Sequence, residues 1–279
     1  MERLLEEQTE VRGVKRVALK GKPSNRPVWS GRISLGLVNV PVKVYTMIRN
    51  ESFSFKYVRK GDACPLKYQR ICTLDDEIVD WDDVAQGYEV RKGDFVVFDR
   101  DEIKALRPES DNRIKIDKFV PMDSVDRIYL DKSYILAPDK SADAYGLLLS
   151  AFKEMNMAGV GTFVMRTKKY PVLIHMYRDS LILTTLRYAN EVVDPQAMPV
   201  VKEIEEPSDD ELGLAIKIIE NLSGEFDITE YKDDFRELVE ALVEKKMKGE
   251  VITVEEPKKE EVKELMSALQ ETLKQLQTQ

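Results

Sequence analysis

Apolar and polar residues alternate where the chain first becomes strand-like. Val38, Val40, Val42 and Val44 are separated by Asn39, Pro41 and Lys43, with Tyr45 following, which is the period-two pattern of a strand with one buried face. Pro41 has no N–H to give a ladder, so it places this strand at an edge, a bulge or a barrel rim. Between Gly161 and Tyr188 the segments GTFVMRT, PVLIHMY and LILTTLRY read as a meander, with Lys168-Lys169 at one turn and Arg178-Asp179 at the next. Many short strands of this kind between Val28 and Val192 predict a sandwich or a closed barrel. One helix interrupts them. Ser141 is its N-cap, Tyr145, Leu148, Leu149, Phe152 and Met155 share a face, and the helix runs to about Met157, with Gly159 as the stop.

After Pro207 the period changes from two to 3.6. Ser208 and Glu211 have capping-box spacing, and Leu212, Ile216, Ile219 and Leu222 form a stripe that ends at Gly224. A second helix places Phe235, Leu238, Val239, Leu242, Val243 and Met247 on one side and stops at Gly249. Beyond the linker Val251 to Pro257, Val262, Leu265, Met266, Leu269, Leu273 and Leu276 repeat at helical spacing between Lys, Glu and Gln. So narrow a stripe suits docking on a partner or self-association better than burial.

With 279 residues, 43% of them hydrophobic, the chain can hold one large or two modest domains around a real core. No apolar run has the length of a membrane span, and charges stand where a signal peptide needs an apolar stretch. The expectation is a cytoplasmic protein without a membrane partner.

The net charge of −8 argues against a nucleic-acid partner only until it is divided along the chain. Residues 1 to 27 carry seven Lys or Arg against four Glu, residues 28 to 200 carry 25 of each sign, and residues 201 to 279 carry 11 basic against 22 acidic groups. The acidity belongs to the helical end, and screening confines exposed charges to a range of roughly 10 Å, so a neutral barrel can still present a basic face. Residues 11 to 27 hold Arg12, Lys15, Arg16, Lys20, Lys22 and Arg26, no acid, and the breakers Gly13, Gly21, Pro23 and Pro27. This reads as a flexible basic arm, either solubilising or in nonspecific contact with DNA.

Reactive chemistry is scarce. Cys64, Cys72 and the lone His175 supply neither a disulfide framework nor four zinc ligands. His175 sits mid-strand in PVLIHMY, where a base of a nucleophilic triad is not expected. The acids Asp75, Asp76, Glu77, Asp80, Asp82 and Asp83 lack the spacing of a calcium loop and read as a solvated loop. Gly159-Val160-Gly161 is too short for a dinucleotide fingerprint, and Gly21-Lys22 is not a phosphate loop. No catalytic residue, metal or cofactor is implied.

Six blocks carry a family resemblance: VWSGRISLGLVNVPVKVY from Val28, KYQRIC from Lys67, GYEVRKGDFVVFD from Gly87, IDKFVPMDSVDRIYLDKSYILAPD from Ile116, AYGLLLSAF from Ala144 and LILTTLRYANEV from Leu181. In order and spacing the chain resembles the prokaryotic Ku proteins. The resemblance implies a mainly β fold: a Ku-like β-barrel core with a DNA-encircling bridge, plus a helical C-terminal arm. Residues 1–27 would be the basic arm, 28–207 the barrel and bridge, 208–250 the dimerisation arm, and 251–279 a linker and amphipathic tail. It further implies a homodimeric ring that binds double-stranded DNA ends without sequence preference in the nucleoid, and recruits an ATP-dependent DNA ligase of the ligase D type for non-homologous end joining. The lysine-rich tails of many members are missing here. The alternative is a barrel scaffold that binds proteins through its acidic helical end and ignores DNA.

Sequence-independent binding calls for Lys and Arg on phosphate and sugar. The candidates are Lys56, Arg59, Lys60, Lys67 and Arg70 from FKYVRK and KYQR, with Arg32 and Lys43 from the first block, Lys43 standing at a position the family keeps basic. Arg113, Lys115 and Lys118 are weaker, since Asp111 and Asp117 neutralise part of that strand. Arg187 and Glu191, four apart, suggest a local ion pair or dimer contact, and Trp29 a core or interface anchor.

Overall fold

The computed structural model describes residues 26–50, 53–109, 111–204 and 206–248, with Leu269, Thr272 and Lys274. Apart from Arg26 and Pro27 the basic arm lies outside the described residues, as does nearly all of the third helical stripe.

Nine strands and five helices follow in order: β1 (Trp29–Leu35), β2 (Val38–Thr46), β3 (Gln86–Arg91), β4 (Asp94–Phe98), α1 (Arg100–Ala105), β5 (Arg113–Pro121), β6 (Leu130–Pro138), α2 (Ala142–Met155), β7 (Met157–Met165), β8 (Lys168–Tyr177), β9 (Ser180–Leu186), α3 (Pro199–Lys202), α4 (Asp209–Leu222) and α5 (Asp234–Met247). Seven strands close a barrel in the order β1-β2-β6-β9-β8-β7-β5. All neighbours are antiparallel except the closing pair, in which β5 lies parallel to β1 with Arg113 opposite Arg32 and Lys115 opposite Ser34. Of the two architectures the strand pattern allows, the barrel forms, and it leaves no unpaired edge.

Alternation decides what fills it. Val40, Val42 and Val44 point inward with Ile33, Ile114, Phe163, Leu136, Ile174, Leu181 and Leu183, all essentially inaccessible. Each such side chain contributes on the order of 1.5–3 kcal/mol. The helix α2 packs on this core through Tyr145 and Phe152. The Tyr145 hydroxyl donates to the Leu136 carbonyl at 2.7 Å and accepts from the Leu181 amide at 3.3 Å, tying the helix to β6 and β9.

Of the positions that Pro41 allows, it takes the barrel rim, where the β2–β6 ladder ends at Val42 and the Pro41 carbonyl accepts from the Asp139 amide at 3.1 Å. Two other local expectations are corrected. The first meander turn is Arg166-Thr167, with Lys168 and Lys169 already in β8; Arg166, like Arg178 in the second turn, has positive φ, as tight hairpin turns require. The helix ends on Asn156 in the left-handed conformation (φ 49°), and Gly159 lies within β7. A Cβ there would sit 3.3 Å from Ile116 and Phe119, so this glycine serves packing and not the helix stop.

The barrel belongs to a compact unit ending at Val193, and the C-terminal helices to a second unit from Asp194 onward. The capping box at α4 forms as the spacing predicts, with the Ser208 amide donating to Glu211 at 2.9 Å. The stripe Leu212, Ile216, Ile219 and Leu222 is exposed, and on α5 only Val239 is buried.

Candidate nucleic-acid interface

The basic candidates fall into two groups, one on the barrel wall and one on the excursion between β2 and β5. On the wall, alternation sends Ile33, Val42, Ile114 and Ile116 inward and Arg32, Lys43, Arg113 and Lys115 outward. Closure of the barrel sets Arg113 beside Arg32, while Lys43 faces Ser30 on the other side of β1. Residues separated in sequence by more than 60 positions thus share one outer face.

Most of these cations already have a carboxylate partner. Lys43 Nζ is 3.0 Å from Asp139, Arg113 Nε 2.6 Å from Asp111, and Lys115 Nζ 3.2 Å from Asp117. The hydrogen bond and charge of Asp139 hold the Lys43 pKa above the ordinary lysine value. For Asp111, burial pushes upward, but the bond and charge of Arg113 outweigh it and leave the carboxyl below its usual range. Arg32 has no carboxylate partner among the described residues.

Between Met47 and Asn112 no described residue is buried. Two tight turns and a ribbon order this excursion. The first turn brings Val58 opposite Pro65, with the Arg59 amide donating to the Cys64 carbonyl at 2.9 Å; the second brings Ile71 opposite Ile78, with the Cys72 amide donating to the Glu77 carbonyl at 2.8 Å. Ala63 and Asp76 take positive φ in them, and β3 pairs with β4 to complete the segment. Both cysteines are free, Cys64 exposed and Cys72 half-buried.

Charge divides the excursion into two limbs. Residues 53 to 70 hold Lys56, Arg59, Lys60, Lys67 and Arg70 against one acid, Asp62, whereas residues 71 to 83 hold six acids and no base. Lys56, Lys60 and Lys67 are exposed and have no ion pair among the described residues. Arg59 is claimed by Asp62, whose Oδ1 accepts from Nε at 3.0 Å and whose Oδ2 accepts from Nη2. Arg70 lies over the Trp81 ring, its guanidinium carbon 4.1 Å from the centroid. Arg100, which sequence reasoning missed, lies 4.5 Å from the same ring and donates to the Trp81 carbonyl. Cation–π stacking of this type holds guanidinium planes in place, but Asp82, Asp83, Asp99, Asp101 and Glu102 surround Arg100. Among the described residues no three of His, Cys, Asp and Glu converge as metal ligands.

The remaining singled-out residues are structural. Trp29 packs edge-on against Phe163 at 5.0 Å. His175 Nε2 meets Thr184 Oγ1 at 3.0 Å, but Nδ1 meets the Met176 carbonyl at 3.2 Å where a triad has a carboxylate, and Thr184 is buried. Arg187 and Glu191 make no direct ion pair, although the Arg187 charge is among the weaker causes that hold the Glu191 pKa down: Arg187 donates to the Ile128 carbonyl at 2.9 Å and lies 3.5 Å from Asp131, while Glu191 takes Lys168 at 3.5 Å and the Tyr188 amide at 2.7 Å. The chain turns away after β9, so i,i+4 spacing carries no helical proximity.

The chain has relatives among known proteins. Residues 34–214 match the family described as the Ku70/Ku80 beta-barrel domain. The non-homologous end joining protein Ku of Bacillus subtilis is 30% identical over 259 residues, covering 91% of this chain and 83% of that one. Its counterpart in Archaeoglobus fulgidus is 32% identical over 249 residues, covering 89% and 98%. A protein of the same name from Anaeromyxobacter is 33% identical over 252 residues, covering 89% and 85%.

Proposed function

The chain belongs to the Ku β-barrel family, and from that premise we propose that two copies form a ring that threads onto double-stranded DNA ends and serves non-homologous end joining. The observation that carries this reading is the excursion from residue 47 to 112, which leaves the barrel after β2, returns at β5, and contains no described buried residue. A segment with Phe55, Tyr57, Tyr68, Trp81, Tyr88 and Phe95 exposed is not folded for its own stability, since isolated two-stranded ribbons are marginal in water. An arch over a duplex, closed by a second copy, gives it a purpose.

The mechanism is topological. A preformed hole admits a duplex only at a terminus, so end selection needs no reading of the terminal base pair and no catalytic group. Phosphate contacts come from Lys56, Lys60 and Lys67 on the basic limb and from Arg32 on the barrel wall. Arg59, Arg70, Lys43, Arg113 and Lys115 contribute once their present partners yield. Retention at the end then presents it to an ATP-dependent ligase of the ligase D type, where the bond-forming chemistry resides.

The acidic stretch after residue 200, with 22 acids against 11 bases, favours one other reading, a protein scaffold that ignores DNA. Substitution of Lys60 and Lys67 by Ala decides between them. On the DNA reading the double variant binds duplexes of any sequence more weakly, and the slope of log affinity against log salt flattens by roughly 0.9 per lost contact, doubled if both copies touch one duplex. Replacing Lys245 and Lys246 in the acidic arm has a much smaller effect. Equal losses from both pairs would show that only net charge matters.

A further inference from the structure

The barrel wall is not simply a basic surface, because Lys43, Arg113 and Lys115 are held by carboxylates of the same chain. Asp139 follows β6 and reaches Lys43 on β2; Asp111 precedes β5 and pairs with Arg113; Asp117 lies two residues beyond Lys115 on the bulged part of β5. Arg32, between Arg113 and the β2 strand, has no such partner among the described residues. With Lys118 beside Asp117 on the exposed part of β5, five cations and three acids leave a net charge of +2 on a face whose cations alone would carry +5.

A carboxylate and a phosphate diester compete for the same donors. Both are anionic oxygen acceptors for Lys and Arg, and bidentate Arg geometry suits either. All three pairs are partly exposed, and exposed ion pairs are individually weak, so each can open in favour of a phosphate at small cost. A wall of unpaired cations would instead pin the duplex in one register.

We propose that Asp111, Asp117 and Asp139 are built-in competitors for phosphate, which lower the affinity of the barrel wall so that a threaded duplex is held and remains movable. This rests on the DNA-binding reading above and assigns those three residues a role in setting its strength. Each carboxylate takes back its cation as a phosphate leaves, so Lys43, Arg113 and Lys115 each have a local alternative partner while Arg32 stays open to phosphate.

The test uses the full chain with substitutions Asp111→Asn, Asp117→Asn and Asp139→Asn, singly and together, on one linear duplex at several salt concentrations. Thermal melting verifies that each variant is folded, and if the triple variant is not, the single variants carry the test. Each single change is expected to tighten binding about threefold, the scale of an exposed ion pair, and the triple change at least tenfold. The salt slope becomes steeper by up to roughly 0.9 for each freed cation, and release from the duplex slows. Glu220→Gln, Glu237→Gln and Glu244→Gln together add the same charge to the C-terminal helices and are expected to change affinity less than twofold. Unchanged affinity in the wall variants, or an equal gain in the arm variants, overturns the proposal while leaving DNA binding intact. Failure of the parent protein to bind linear duplex overturns the DNA reading itself and this proposal with it.

Discussion

His175, the lone histidine, is taken up by its strand as its place in PVLIHMY suggests. Its ring is held between Thr184 and the Met176 carbonyl, and Thr184 Oγ1 lies 2.9 Å from Ser133 Oγ, so the polar groups form a chain across β8, β9 and β6. Burial depresses the His175 pKa below the ordinary 6.5, with the Met176 hydrogen bond opposing it only in part. A lowered folded-state value means that the unfolded chain takes up the proton first. The stability contributed by neutral His175 is therefore fully present above about pH 6.5 and is lost as pH falls through the depressed value. Between pH 7 and pH 5 the melting temperature of the parent is expected to fall more steeply than that of His175→Gln, and identical profiles would reject the assignment. The pairing of Lys43 with Asp139 could not be read in the sequence, because it arises from the β2–β6 register across more than 90 residues.

The strands and helices were legible to the extent that one period governed them. The β2 alternation, the β7–β9 meander and the Ser208–Glu211 capping box all form where their patterns place them. A glycine stop places the end of α2 at Gly159, whereas the helix ends on Asn156 and Gly159 lies in β7 close against Ile116, Phe119 and Phe152, contacts that no local pattern reveals. Periodicity also shows that α4 and α5 are amphipathic without saying what they cover. In the structure Leu212, Ile216, Phe235 and Leu238 remain exposed, a large apolar surface for a lone chain. Truncation after Pro207 is therefore expected to convert the proposed dimer into monomer or aggregate in light scattering. A well-behaved dimer without residues 208–250 would assign dimerisation to the barrel or the excursion.

For the whole molecule, many short strands narrow the architecture to a sandwich or a closed barrel without choosing between them, and the exposure of the described residues between 47 and 112 follows from nothing in their composition. Phe55, Tyr57, Trp81 and Tyr88 look like core residues by type, and their surroundings alone reveal a segment folded outward. The uneven charge, by contrast, is visible in sequence, and it places neutrality on the barrel and acidity on the helical end. Central to the account is that end preference comes from threading, and the most direct measurement is binding of linear duplex against a covalently closed circle of the same sequence and length at one salt concentration. Threading predicts strong binding to the linear form, little to the circle, and recovery of binding when the circle is cut once with any end structure. Equal affinity for linear and closed forms would contradict it.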